Sequence, residues 1–300
     1  LTILLLFFAS TMTHAQQSER MQRMTAATQR IMFIDSFVVD KKDFLRAYHL
    51  TEEAGKIAPY HTFFPKDASQ SLTFMNELND RCFFARQDTT KQAALLYREY
   101  LNEKWTDATE ALGTNDLMQF QQMDYPFMMP DGITLYFAAK GDDSIGGYDI
   151  FMTSYDREEG RFLKPENIGM PFNSPANDYL FAIDEYNQLG FFASDRNQPE
   201  DNVCVYTFVP AEKYQTYDAA QYTQEQIADF ARIVNISQTW DNQQQLNETK
   251  ERLQKAKRTT LVRHPAFSFV INDQLTYHHL SDFKAPDNQE RYNQLVTLRQ

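Results

Sequence analysis

Beyond its first fifteen residues the sequence has no apolar run that approaches a bilayer span, no block of lysine or arginine, and only two cysteines. Each shortage excludes something. Without a second long apolar run the mature chain has no membrane-spanning helix to form. Without basic clusters, and with 41 acidic against 29 basic residues, the surface repels phosphate backbones and anionic lipid, which leaves nucleic acid and peripheral membrane as poor partners. Two cysteines cannot make a disulfide scaffold. Cys82 and Cys204 both sit in apolar, strand-like runs, "RCFFA" and "NVCVYTF", so they read as buried thiols, with a disulfide as the alternative. HExxH, GxSxG and CxxC are all missing, and no cofactor motif is present.

What is there begins with "LTILLLFFASTMTHAQQ". Leu1 to Ala9 form an apolar segment, and Thr13 and Ala15 supply the small residues that signal peptidase needs at −3 and −1. The basic residues that usually precede such a segment are missing, and no cysteine follows it to carry a lipid. Residues 1–15 are therefore expected to be a signal peptide and 16–29 a polar linker. The destination is the periplasm, the cell surface or the medium.

Three stretches then share one plan: "DRCFFARQDTTKQAALLYREYLNEKW" (80–105), "DGITLYFAAKGDDSIGGYDIFMTSYDREEGRF" (131–162) and "YNQLGFFASDRNQPEDNVCVYTFVPAEKY" (186–214). Each has a strand ending in two aromatics and an alanine, a polar loop, and a second strand rich in aromatics. Phe84, Phe137 and Phe192 occupy the same place in each. A weaker copy lies at 34–57. Short aromatic strands at a fixed period are the mark of radial repetition, in which single units cannot bury their faces alone and must stack. The expected fold is mainly β, a propeller-like repeat array over 30–216 with about four recognisable blades. A helical insertion at 217–258 follows, then returning strands at 259–284 in a position to close the array, and a helix at 285–300. A capping box at Thr223–Gln226 starts the insertion, with Ile227, Phe230, Ala231 and Val234 on one face.

The motifs P-x-x-x-P-D-G-x-x-L-Y-F-A, G-G-Y-D-I-F and P-E-N-I-G-x-P-F-N-S over residues 125–208 resemble the TolB-like, WD-like β-propeller repeat of Bacteroidetes-type cell-envelope proteins. The resemblance extends more weakly to 69–113 and 30–60. It implies architectural roles for Asp131, Gly132, Gly146, Gly147 and Asp149, and an envelope location. Six blades are usual in that family, against four at most here, and the peptidoglycan-binding domain often fused to such repeats is missing.

The tip "KGDDSIGG" has no oxygen ligands at calcium-loop spacing and neither the lysine nor the helix of a phosphate cradle. It reads as a corner in which Gly146 and Gly147 supply positive φ. Asp149, inside a strand, must find buried donors, for which Arg196 beside Asp195 in "FFASDR" is the nearest suggestion. His278 and His279 alternate across a strand and cannot readily share a metal, and Ser281 to Lys284 fits S-x-x-K without its companion motifs. Loop residues Asp142, Asp143, Ser144, Asp195 and Arg196 are the candidates for a binding surface. The expected function is a non-catalytic, exported envelope scaffold that binds another envelope protein. The alternative is a propeller that binds or hydrolyses glycan. Mass spectrometry of the native protein is expected to find an N-terminus at or near Gln16 in an exported fraction; an intact N-terminus on a cytosolic protein would contradict that reading.

Overall fold

The computed structural model describes residues 19–66, 71–86, 91–211, 213–263, 269–272, 275–277 and 283–297. The chain divides into two units, Leu1–Gln254 and Lys255–Gln300. Among the described residues no helix is long and apolar enough to cross a membrane. Residues 1–15 and the pair His278/His279, with Ser281, lie outside the described set.

The first unit opens with helix α1 (residues 19–26), where the sequence suggested a linker, and strand β1 (Phe33–Asp40). Three antiparallel sheets follow in chain order. The first runs β2 (Lys56–Pro59), β3 (Leu72–Met75), β4 (Arg81–Ala85), β5 (Leu95–Leu101) and β6 (Lys104–Trp105), with β7 (Thr109–Glu110) also on β5. The helical turn α2 (Tyr60–Phe63) lies within it and the turn α3 (Thr114–Leu117) follows it. The second sheet is β8 (Phe120–Met128), β9 (Thr134–Gly141), β10 (Asp149–Asp156) and β11 (Arg161–Phe162), with β12 (Glu166–Asn167) also on β10. The third is β13 (Asp178–Asp184), β14 (Leu189–Ser194) and β15 (Asn202–Phe208), completed by β1 against β15.

The three repeats are the central hairpins of these sheets. Phe84, Phe137 and Phe192 sit on β4, β9 and β14, opposite Leu96, Phe151 and Tyr206 on β5, β10 and β15. All three are buried, Phe84 under Tyr60, Phe137 against Phe120, and Phe192 against Phe172. Because side chains alternate across a strand, the residue before each faces the opposite side. Phe83 meets Phe162 of the second sheet at 6.1 Å between ring centroids, and Tyr136 meets Phe181 of the third at 4.6 Å. Phe74 against Phe127, at 5.1 Å, adds to the first interface. Both faces of every central strand are thus apolar, and each sheet needs a cover on each side.

At the two ends the chain covers itself. The outer face of the first sheet, with Met75, Cys82 and Phe84, packs under Tyr60 of α2 and under Phe64 and Trp105. On the third sheet Tyr48 lies on Phe191 and donates its hydroxyl to the Leu180 carbonyl at 2.6 Å, with Phe44 stacked edge-on behind it. Cys82 and Cys204 are buried free thiols, and burial pushes the Cys82 thiol up to about 12.

Several expectations need correction. Among the described residues the first unit has three antiparallel sheets where about four blades were expected. The weak copy at 34–57 is no sheet of its own: it lends β1 to the third sheet and β2 to the first, and its middle supplies the Phe44–Tyr48 cover. In the second unit β16 (Phe269–Asn272) and β17 (Leu275–Tyr277) pair, among the described residues, only with each other. Among the described residues the strand that completes the third sheet is β1, from the N-terminal side.

The insertion forms as its sequence indicates. Thr223 caps α4 (Gln224–Arg232): its hydroxyl accepts the Gln226 N–H, and the Gln226 side chain accepts the Thr223 N–H. Ile227, Phe230 and Ala231 are buried, but Val234 is 60% exposed. The cause is Ile233, whose φ of 53° ends the helix and breaks the 3.6-residue period. Helix α5 (Gln243–Arg263) follows, with Leu246 and Leu253 buried. In the second unit Phe283 packs between Tyr277 and Tyr292 of α6 (Pro286–Thr297).

The glycines of the tip work differently from the expectation. Positive φ belongs to Gly132 (66°), which makes the D-G turn, and neither Gly146 nor Gly147 has it. What these two supply is room. A Cβ on Gly146 would stand 2.2 Å from the Pro175 carbonyl oxygen, and one on Gly147 2.1 Å from Asn177 Oδ1. The Gly147 N–H donates to the Ala176 carbonyl at 3.0 Å. Gly146→Ala is therefore expected to destabilise the fold by roughly 2 kcal/mol or more, since backbone must move. Gly113→Ala, where the nearest atom is a side-chain oxygen at 3.8 Å, should cost much less in the same denaturant melt. Equal costs would contradict the close-approach account.

Candidate functional site

The segment from Pro165 to Ser174 joins the second and third sheets, and Asn173 and Ser174 are spent on that junction. Asn173 acts as a surrogate strand, accepting the Ile150 N–H at 2.7 Å and donating to the Ile150 carbonyl at 2.8 Å. Phe172 fills the centre of the cluster formed by Phe33, Phe181, Phe192 and Phe208. Ser174 gives both its N–H and its hydroxyl to Asp178 Oδ2. The other carboxylate oxygen of Asp178 takes the Ser194 hydroxyl at 2.6 Å and the Arg196 guanidinium at 2.7 Å.

Arg196 is therefore no loop-surface residue. It is 5% exposed, pairs with a fully buried Asp178, and donates to the Pro171 and Phe172 carbonyls at 2.8 and 2.6 Å. A buried ion pair is sustained only when its remaining donors and acceptors are satisfied, as they are here. Asp149 does not use Arg196 either. Its Oδ2 accepts the Ile145 N–H at 2.8 Å and the Asn167 amide at 2.7 Å. Burial pushes the Asp149 carboxyl up to about 7 in spite of those donors.

In the tip, Asp142 and Asp143 are exposed, and their backbone carbonyls accept the Arg20 guanidinium of α1. Asn167 donates to the Asp143 carbonyl as well, at 2.9 Å. Ser144 accepts the Gly141 N–H and donates to the Ala139 carbonyl, closing the corner. Asp131 is spent in its own turn on Ile133 and Thr134.

One face gathers polar groups that this bonding leaves available. It lies at the end of β9, the start of β10 and β13, and the ends of β14 and β1. Tyr125, Tyr148 and Tyr179 contact one another with centroids 5.3–6.1 Å apart. Lys41 stands 4.7 Å over the Tyr179 ring and 3.6 Å from Asp195, while Lys140 stands 4.8 Å over Tyr148. Tyr125 holds a φ of 56°, uncommon for an aromatic residue, at the bulge in β8.

The two carboxylates of this face differ. Burial alone would raise Asp195, but the Asn177 N–H, the Tyr179 hydroxyl, the Asn177 amide and Lys41 outweigh it and hold the group below its ordinary value. Among the described residues Asp124 accepts the Tyr125 N–H, at 2.8 Å, and burial pushes it up to about 6. Asp195, expected at a binding surface, is here but firmly tied. Asp124 and the three tyrosines went unnoticed in the sequence, although "QMDYPF" has an aspartate and a proline inside a strand pattern, the signal of a bulge.

A cleft of about 520 Å³ opens between α1 and the second and third sheets. Its walls are mostly apolar, with Met24, Met152, Met170, Tyr136 and Phe181, and among the described residues Glu166 is the charged one lining it. That size accommodates a single small molecule.

The Asp149 carboxyl gives a test with a definite sign. Its folded value lies above the unfolded value of about 3.9, so its contribution is full below pH 4 and is lost as pH rises through about 7. Asp149→Asn, which keeps an acceptor and no charge, is expected to flatten the decline in stability between pH 5 and pH 8. Asp149→Ala should cost roughly 1–3 kcal/mol at pH 5 by leaving the Ile145 N–H and the Asn167 amide unpaired. Asp142→Ala should be close to neutral, because Arg20 holds the backbone there and not the side chain. Denaturant melts at the two pH values check all three.

Compared with protein-family models, with curated proteins and with solved structures, the chain matches none of them.

Proposed function

We propose that the protein is a non-catalytic, exported component of a bacterial cell envelope whose three sheets are blades of a propeller-like array that serves as a scaffold for another envelope protein. The observation that carries this reading is where the polar residues go. The aspartates, asparagines and serines of the repeat motifs are consumed in joining one sheet to the next, and the space between sheets is filled by aromatic rings. A rigid body built in this way presents loops and edges, and such surfaces serve recognition better than catalysis. The exported location rests on the apolar segment at Leu1–Ala9 and on the resemblance of the repeats to envelope propellers.

The glycan-active alternative keeps one specific support, the face around Asp124. An acidic group near pH 6 beside three tyrosines and two lysines is suited to sugar hydroxyls and ring faces. The two readings part experimentally. Purified mature protein is expected to cleave no polysaccharide in a panel of envelope glycans and to form a crosslinked, stoichiometric complex with one envelope protein that can be rebuilt from purified components. Turnover or saturable binding of a glycan, lost in Asp124→Asn and Tyr148→Ala together, would replace the scaffold reading with the alternative.

A further inference from the structure

The cleft beside α1 is a built cavity. The helix is tied near both of its ends. At its start the Arg20 guanidinium donates to the Asp142 and Asp143 carbonyls. At its end the Thr25 hydroxyl donates to the Met170 thioether at 3.5 Å, and just beyond it the Gln29 N–H donates to the Met170 carbonyl at 2.8 Å. These ties fix the helix against the sheets, and about 520 Å³ remains between them. Tyr136 and Phe181, stacked at 4.6 Å between centroids, line that space together with the thioethers of Met24, Met152 and Met170. Protein interiors leave few voids of this size. An apolar cleft with aromatic walls and adaptable methionines is a place for a ligand.

Charge decides what fits. Glu166 on β12 is exposed, and among the described residues no hydrogen bond or ion pair engages its carboxylate. On the Tyr136 side, burial and then the negative charges of Asp131 and Glu185 push the tyrosine hydroxyl up to about 12. A carboxylate or phosphate headgroup would therefore meet repulsion in this cleft, and a wholly apolar ligand would leave Glu166 unused. One carboxylate is too few for a metal ion. We propose that the cleft binds a small amphipathic monocation, an amine with an aromatic or branched alkyl body, its body against Tyr136, Phe181 and the methionines and its ammonium on Glu166. This adds a ligand site to the protein and does not depend on the scaffold reading.

The probes are phenylbutylamine, phenylbutanol and phenylbutyrate, which share one body and carry a positive, no and a negative charge at pH 7. Each is titrated by NMR into the full chain with its methionine methyls labelled. The amine is expected to bind saturably, the alcohol about threefold more weakly, as an exposed ion pair allows, and the carboxylate more weakly still. Added salt should narrow the gap between amine and alcohol. The methyls of Met24, Met152 and Met170 should shift before those of the other methionines. Glu166→Gln is expected to remove the preference for the amine and leave the alcohol's affinity unchanged. Ala27→Trp, at an exposed position on the cleft wall, should fill the space and weaken all three probes about tenfold or more. No saturable binding of the amine, or a carboxylate that binds as tightly, would overturn the proposal. So would a preference for the amine that survives Glu166→Gln, or shifts confined to other methionines in the wild type. The last two tests use the wild type or an exposed carboxylate's amide, so they stand even if Ala27→Trp does not fold.

Discussion

The constraint on which the first unit depends is that its strands are apolar on both faces. A sheet of this kind cannot stand with one side in water, because large aromatic side chains on the second side would lose the burial that stabilises the first. Phe83 and Phe84, Tyr136 and Phe137, and Phe191 and Phe192 make the point three times over. Each pair sends one ring forward and one back along the stack. The first and second interfaces are met by the neighbouring sheet, and the two outer faces by α2 and by the Phe44–Tyr48 segment.

Stacking alone does not fix how one sheet sits on the next. That is the work of the junction between the second and third sheets, where Asn173 is bonded to β10 and Ser174, Ser194 and Arg196 converge on Asp178. Polar networks that are fully satisfied confer a unique arrangement on a core that apolar contacts would leave adjustable. The Pro165–Ser174 segment is thus architectural at Phe172, Asn173 and Ser174, while Glu166 and Met170 also line the cleft beside α1.

Much of this was legible in the sequence. The repeat, the central hairpins, the buried thiols and the Thr223 cap all follow from periodicity and local hydrogen bonding, which are short-range signals. What escaped depends on long-range placement. Nothing in "IDSFVVD" tells that it pairs with residues 202–208 instead of starting a sheet of its own, because strand pattern does not specify a partner. Nothing local distinguishes a glycine kept for positive φ, as Gly132 is, from one kept for room against Pro175, as Gly146 is. Arg196 looked like a loop residue because its partner Asp178 belongs to another strand of the sheet. The tyrosine face was invisible for the same reason, since Tyr125, Tyr148 and Tyr179 come together only when the second and third sheets meet.

Native-state hydrogen exchange measures the central claim most directly, that the three sheets of the first unit are each covered on both faces. The account expects the slowest exchange in β4, β9 and β14 alike, at or near the free energy of global unfolding. Early exchange of β4 or β14 would mean that an outer face is not truly covered. Early exchange of β9 while β4 and β14 stay protected would mean that the middle sheet is not held between the other two, and either result would contradict the account.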